Sequence, residues 1–200
     1  MSNSIENIGL LPSISETKKR LQGLALLDAI IMPDWEYRYF SFNNNWDGNS
    51  KESMASMRDG SGSEYFFHFT KNGVAGKVLD DSELPDTLAA LKVLPDCFDS
   101  FKREEAFNNA QASFFCWRTE SNDQWFSYPD GLSQYPLIGF IVGGSSVYQS
   151  WAEAYYETTL ENSVLESVFT SLSVDANQLE KLNPEITMDD LGEDIQEIVG

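Results

Sequence analysis

Residues 54–79 read MASMRDGSGSEYFFHFTKNGVAGKVL, which is three short runs of β-forming residues separated by two glycine-containing breaks. The breaks, DGSGS and KNG, are turn sequences, because glycine takes the positive φ angles that tight turns require. Connections this short allow only antiparallel pairing between successive strands. We therefore predict an antiparallel β-meander with strands at 54–58, 64–69 and 74–79.

Further strands and helices flank this meander. Aromatic-rich runs predict additional strands at 35–42, 113–118 and 124–128. Before them, Ser13 and Glu16 form a capping-box pattern that begins a helix at residue 14, and Pro33 follows its end at residue 31. We expect an α+β fold in which an antiparallel β-meander sheet packs with helices and the C-terminal part is helical.

The length and composition suit a single domain. Hydrophobic residues make up 42% of the 200 residues, enough for a core in a chain that buries roughly 70% of its unfolded surface. We expect a flexible N-terminus at 1–12 and one α+β domain at 13–200. Within that domain, 13–128 holds a helix and the antiparallel sheet, and 129–200 is an acidic helical part.

The charge is strongly negative and unevenly distributed. The chain carries 32 acids and 13 bases, a formal charge of −19. Residues 119–200 hold 15 of the acids and one base, Lys181, a net charge of −14. This balance argues against binding of nucleic acid or anionic membrane, since both require clustered cations. Two interpretations remain, a solvated surface or a docking surface for a basic protein.

Few residues suited to metal or redox chemistry occur. Two cysteines and one histidine cannot supply a Cys/His zinc site or a disulfide framework, so we predict no metal, no cofactor and no catalytic residue. The N-terminus lacks the basic and apolar segments of a signal peptide. The apolar run PLIGFIVGG is shorter than the roughly 20 residues that span a bilayer. We therefore expect a cytoplasmic location.

Two candidate sites follow from these patterns. An aromatic-walled polar pocket on the sheet would form if its arginines and their neighbours met on one face. Its residues are Arg38, Trp46, Arg58, Asp59 and His68. The alternative for these residues is internal ion pairs and a half-buried structural histidine. A partner-binding surface would instead use carboxylates of the C-terminal helices, Glu153, Glu157, Glu161, Asp189, Asp190, Glu193, Asp194 and Glu197.

Several sequence blocks carry a resemblance. YRYFSF at 37–42, MASMRDGSG at 54–62, FFCWR at 114–118 and WAEAYYE at 151–157 with the later LNPE resemble, in the same order, blocks of a group of uncharacterised bacterial proteins. That resemblance implies no activity and no residue roles. The compact acidic character is also similar to that of bacterial toxin-immunity proteins.

Two functional hypotheses follow. The first is a non-enzymatic acidic interaction protein of the bacterial cytoplasm, such as an immunity or inhibitor-type binder of a basic partner. The alternative is a small-molecule-binding protein or enzyme that uses the arginine and aromatic pocket on the sheet. The absence of an activated nucleophile or base motif favours the first. No oligomeric state is predicted.

Overall fold

The computed structural model describes residues 3–81 and 86–200, and it contains a six-stranded antiparallel sheet whose strands lie side by side in chain order. The strands are β1 (Phe40–Asn43), β2 (Ser53–Arg58), β3 (Glu64–Thr70), β4 (Gly73–Leu79), β5 (Phe114–Thr119) and β6 (Phe126–Tyr128). Each strand pairs with the next one along the chain. The predicted antiparallel meander is confirmed. The first strand begins later than expected, because Trp35–Tyr37 form a 3₁₀ turn.

Helices account for most of the remaining structure and confirm the α+β class. They are α1 (Ile14–Ile31), α2 (Thr87–Val93), α3 (Asp99–Arg103), α4 (Ile138–Tyr155), α5 (Asn162–Ser171), α6 (Ala176–Leu182) and α7 (Gly192–Ile198). The last four form the helical C-terminal part. In residues 3–81 and 86–200, no helix combines the length and apolar character that crossing a membrane requires.

Helix α1 lies at the centre of the molecule. Ser13 caps it by accepting a hydrogen bond from the Glu16 amide, which is one half of the predicted capping box. The Glu16 carboxylate does not complete the box and instead accepts from Arg20. Every residue from Leu21 to Ile30 is buried. The helix packs against β1 and β2 on one side and against α4, α5, α6 and α7 on others. Such all-round burial explains why its sequence, LQGLALLDAI, is apolar on every face apart from the buried Gln22 and Asp28.

The two faces of the sheet support separate cores, because successive side chains of a strand point to opposite faces. One face, with Phe40, Tyr65 and Phe67, packs against α1 and the C-terminal helices. The other face carries a smaller core in which Phe66 and Phe115 meet the aromatic rings of residues 98–107. Arg58, Glu64, Phe66 and His68 share this second face by their strand register.

The N-terminal segment packs against the domain. Ile5 donates a backbone hydrogen bond to the Tyr135 carbonyl and accepts one from its amide. Ile8 and Leu11 are buried. This contrasts with the flexible terminus that the sequence predicts for 1–12, of which residues 1 and 2 lie outside the described part. These contacts form because the apolar side chains of the N-terminal segment pack beside the 129–137 loop.

Candidate functional site

Arg38, the first residue of the predicted sheet pocket, is taken up by contacts within the protein. Its side chain is 7% exposed, and its guanidinium donates to both carboxylate oxygens of Asp194. It also donates to the carbonyls of Met32 and Pro33. Arginine presents several donors in a fixed plane, so this arrangement leaves little capacity for a ligand.

Arg58 and its neighbours form a charged network on the second face of the sheet. The Arg58 guanidinium lies over the Phe66 ring at 5.0 Å, and its Nε is 3.9 Å from Glu64 Oε2. Glu64 Oε1 accepts a 2.7 Å hydrogen bond from the fully buried Lys77. Lys77 also donates to the carbonyls of residues 108 and 111, which satisfies the three donors of its ammonium.

His68 lies on the same face as Arg58 but is covered. Its ring is 1% exposed and sits beside Phe101 and Phe107. Its Nε2 is 3.0 Å from Glu52 Oε2, without the alignment of a hydrogen bond. Burial lowers the pKa of His68, and the nearby Glu52 carboxylate opposes that shift. These features suit a structural histidine.

The predicted pocket residues therefore only partly come together. Arg38 and Arg58 line one cleft of about 200 Å³ together with Trp35 and Tyr39. Trp46 instead stacks on Phe107, and Asp59 accepts amide hydrogen bonds within its own turn. The cleft is smaller than the roughly 300 Å³ at which small-molecule sites begin. The geometry thus gives little support to a small-molecule site formed by these five residues.

Asp28 is a buried carboxylate that the sequence reasoning missed. It lies inside α1 with no exposed surface. Its Oδ2 accepts from the amides of Tyr39 (2.7 Å) and Phe40 (3.0 Å). Its Oδ1 accepts from the hydroxyls of Tyr148 (2.8 Å) and Tyr156 (3.0 Å). The signal that could have revealed it is a lone acid within the apolar run LALLDAII.

The surroundings of Asp28 indicate a structural role, in which its carboxylate holds neighbouring elements together. Burial raises the pKa of Asp28 to about 6, while the four donated hydrogen bonds act in the opposite direction. Those donors come from the residue before β1 and the first residue of β1 (Tyr39 and Phe40) and from α4 and the residue that follows it (Tyr148 and Tyr156), so the carboxylate joins α1 to both regions. A general base needs a substrate proton within reach, and a fully buried carboxylate with four partners has none.

An aromatic surface lies next to Asp28, whose carboxylate accepts from the Tyr39 amide. We define this surface by Trp35, Tyr39, Trp151 and Tyr155. The Tyr39 ring centroid is 4.7 Å from that of Trp151 and 4.6 Å from that of Tyr155. Trp35 lines the same cleft as Tyr39. Trp35 is 64% exposed and Tyr155 50% exposed. Exposed Trp and Tyr side chains are typical of protein–protein interfaces, where they dominate binding energy.

The structure divides the eight predicted partner-binding carboxylates into two sets. Five have partners within the described residues: Asp194 (Arg38), Glu161 (Lys181), Glu153 (the Leu160 amide), Asp190 (Thr187) and Glu197 (Asn43). The other three, Glu157, Asp189 and Glu193, are exposed and make no side-chain hydrogen bond or ion pair to a described residue.

Most of the negative charge in residues 119–200 lacks a compensating cation. Among the residues that the structure describes, only Glu161 and Asp194 of this segment form ion pairs with basic side chains. The remaining carboxylates face water or accept hydrogen bonds from neutral groups. The C-terminal segment therefore keeps a strongly negative net charge in the folded protein.

Neither a metal centre nor a relative provides a further indication. Within the described residues, no group of three or more His, Cys, Asp and Glu side chains is arranged to hold a metal ion. Comparison with protein-family models, with curated proteins and with solved structures found no match to this chain.

Proposed function

We propose that this chain is a non-enzymatic acidic interaction protein of the bacterial cytoplasm that docks a basic protein. One observation carries this proposal: residues 119–200 hold 15 acids against one base, and within the described residues only two of those acids have a cationic partner. A surface of one sign attracts an oppositely charged partner over distance and speeds their encounter.

The aromatic surface supplies what charge alone lacks. Charged rims mainly set the association rate, whereas buried Trp and Tyr anchors supply most of the affinity. Exposed acids adjoin the aromatic surface in the chain, with Asp34 and Glu36 beside Trp35 and Glu157 after Tyr155. Lysine and arginine side chains of a partner can both pair with such carboxylates and stack on the rings. This combination favours a basic protein as the ligand.

An immunity or inhibitor role is one version of this function. The likeness to acidic toxin-immunity proteins supports it, because such proteins neutralise partners that bear positive charge. The partner of this chain would then be a toxic enzyme with a basic surface.

Affinity capture from a bacterial extract, carried out in 0.1 M and in 1 M salt, tests the proposed function. Over this range the Debye length falls from about 10 to about 3 Å, so a charge-driven complex should be retained only at the lower salt. We expect capture of at least one basic protein by the wild-type chain. We also expect reduced capture by the double variant Glu157→Gln/Glu193→Gln.

The matched control is the double variant Asp81→Asn/Glu105→Gln, which removes the same charge from exposed positions outside 119–200. It should capture the partner as the wild type does. Equal losses in both variants, or recovery of no basic protein at low salt, would exclude docking through the acidic helical part.

A further inference from the structure

A cavity near the start of α1 gathers an unusual share of the positive charge. Its volume is about 460 Å³. It lies between the first turn of α1, the loop before β2 and the β3–β4 turn. Three of the eight lysines in the chain, Lys18, Lys51 and Lys71, line it. Three lysines around one cavity are notable in a molecule whose net charge is −19.

These lysines lack carboxylate partners among the described residues, as do Lys19 and Lys92, which do not line the cavity. Lys77 and Lys181, by contrast, each form an ion pair. Lys18, Lys51 and Lys71 have no ion pair with any described residue. Lys18 is half-buried with its Nζ 5.8 Å from the Phe42 ring centroid, and burial lowers its pKa. An unpaired, partly desolvated ammonium group is stabilised by an anion.

Neutral donors accompany the lysines in the lining. Ser15 belongs to the first turn of α1, an 18-residue helix, and its Oγ lies 3.2 Å from Ser13 Oγ. Two further hydroxyl groups come from Ser50, which lies 3.4 Å from Asn45 Oδ1, and from Thr70, which accepts from the Asn72 amide. The positive end of a helix dipole favours anions, and hydroxyl groups donate to phosphate oxygens. Lysine acts as a point charge for phosphate, so three of them suit a dianionic group.

Two carboxylates, Glu52 and Glu120, also line the cavity. They would repel a phosphate but accept hydrogen bonds from sugar-like hydroxyl groups. Glu52 is held in place near the buried His68. The lining therefore suits a ligand that carries a phosphate as well as hydroxyl groups. The volume lies in the range of about 300 to 1,000 Å³ that small-molecule sites occupy.

We propose that this cavity binds a phosphorylated, hydroxyl-bearing small molecule. Lys18, Lys51 and Lys71 hold the phosphate, and Glu52 and Glu120 accept hydrogen bonds from the hydroxyl groups. This site is separate from the acidic helical part, so it stands or falls independently of the proposed docking function.

Isothermal titration at constant ionic strength tests the site with glucose 6-phosphate, ribose 5-phosphate, AMP, inorganic phosphate and glucose as probes. We expect at least one phosphate ester to bind and glucose not to bind. Lys18→Gln should weaken that binding about tenfold, the value of one lost charge-assisted contact. Lys19→Gln is the matched control, since Lys19 is the adjacent exposed lysine of α1 and does not line the cavity.

Three results would overturn the site or part of it. Absence of binding by every phosphate ester removes the site. Equal weakening by Lys18→Gln and Lys19→Gln shows attraction by the general field of the protein instead of a built site. If Glu120→Gln leaves the preference for an ester over inorganic phosphate unchanged, the role of Glu120 is wrong. Thermal unfolding of each variant without ligand establishes that it is folded.

Discussion

At the scale of single residues, Asp28 shows how a buried carboxylate is accommodated in an apolar core. Four donors surround its two oxygens, and two of them are the backbone amides of Tyr39 and Phe40, where β1 begins. Leaving a buried amide unpaired costs about 1 to 3 kcal/mol. The Asp28 carboxylate therefore stabilises the fold by accepting hydrogen bonds from two backbone amides, which an apolar residue could not do.

We expect Asp28→Asn to destabilise the protein by about 2 to 4 kcal/mol at pH 7, because an NH2 donor replaces one of the two acceptor oxygens and must face either the two backbone amides or the two tyrosine hydroxyls. Urea unfolding followed by tryptophan fluorescence measures this change. Asp81→Asn, at an exposed position, should leave the free energy of unfolding unchanged. Wild-type stability in Asp28→Asn would mean that the four hydrogen bonds contribute nothing net.

The pH dependence of stability provides a second prediction for the same residue. The folded-state pKa of Asp28, about 6, lies above the ordinary 3.8, so the folded protein holds this proton more tightly than the unfolded chain. The stabilisation from that proton is complete below pH 3.8 and is lost as the pH rises through 6. The stability advantage of wild type over Asp28→Asn should therefore be greater at pH 4.5 than at pH 7, by about 2 kcal/mol.

The comparison between wild type and Asp28→Asn is needed because other carboxylates act in the opposite direction. Amide hydrogen bonds lower the pKa of Asp47 and Asp59, so their stabilisation declines as the pH falls. Those contributions are common to both proteins and cancel in the difference. An advantage greater at pH 7 would show that the four donors outweigh burial at Asp28.

At the scale of elements, α1 packs so closely against α5 that it needs a glycine. A Cβ built at Gly23 would lie 2.7 Å from Phe169 Cδ2 and 2.9 Å from the Phe169 carbonyl oxygen. One of these atoms belongs to the backbone of α5, so a side-chain rotation cannot relieve the contact. The apolar residues around Gly23 in the sequence predict burial, but they do not reveal a helix at this distance.

Gly23→Ala should therefore destabilise the protein, although a glycine-to-alanine substitution inside a helix usually stabilises it. Alanine ordinarily stabilises a helix interior by about 1 kcal/mol over glycine, whereas here we expect a loss of about 1 to 3 kcal/mol from overpacking. Thermal and urea unfolding measure the change. Gly192→Ala, at the start of α7 where no atom lies within 4 Å of the added Cβ, should be neutral or stabilising. A stabilised Gly23→Ala variant would contradict the close packing of α1 and α5.

At the scale of the whole molecule, the Arg38–Asp194 ion pair joins parts of the chain 156 residues apart. It fixes α7 to the segment that enters β1, beside the aromatic surface. One of the eight predicted partner-binding carboxylates is thereby part of the fold. Asp194 and its neighbour Glu193 are adjacent in sequence but have different environments, which allows stability and binding to be separated.

We expect Asp194→Asn to lose about 2 to 3 kcal/mol of stability, since it leaves the buried Arg38 guanidinium without its counter-charge. Glu193→Gln should unfold as the wild type does, yet weaken partner capture in low salt. Urea unfolding and the capture assay on both variants check this pair. Equal stability of the two variants would mean that the ion pair has no net stabilising effect.

The meander and the charge imbalance can be read from local residue patterns and composition. The turns at DGSGS and KNG and the alternation of strand side chains act between near neighbours, so they are readable without a structure. The capping of α1 by Ser13 is equally local. The uneven distribution of acids needs only counting. The aromatic composition around Trp35 predicts a strand, whereas the structure has an exposed 3₁₀ turn at Trp35–Tyr37.

Which charged groups are paired and which are free depends on long-range contacts in the folded protein. Asp28 meets Tyr148 across 120 positions, and Arg38 meets Asp194 across 156. The lysines of the α1 cavity likewise come from three separate elements. Residue types and local spacing do not predict these long-range contacts, because the contacts depend on how the helices pack on the sheet. Packing alone determines whether a carboxylate binds other groups in the core, forms an ion pair or remains solvated at the surface.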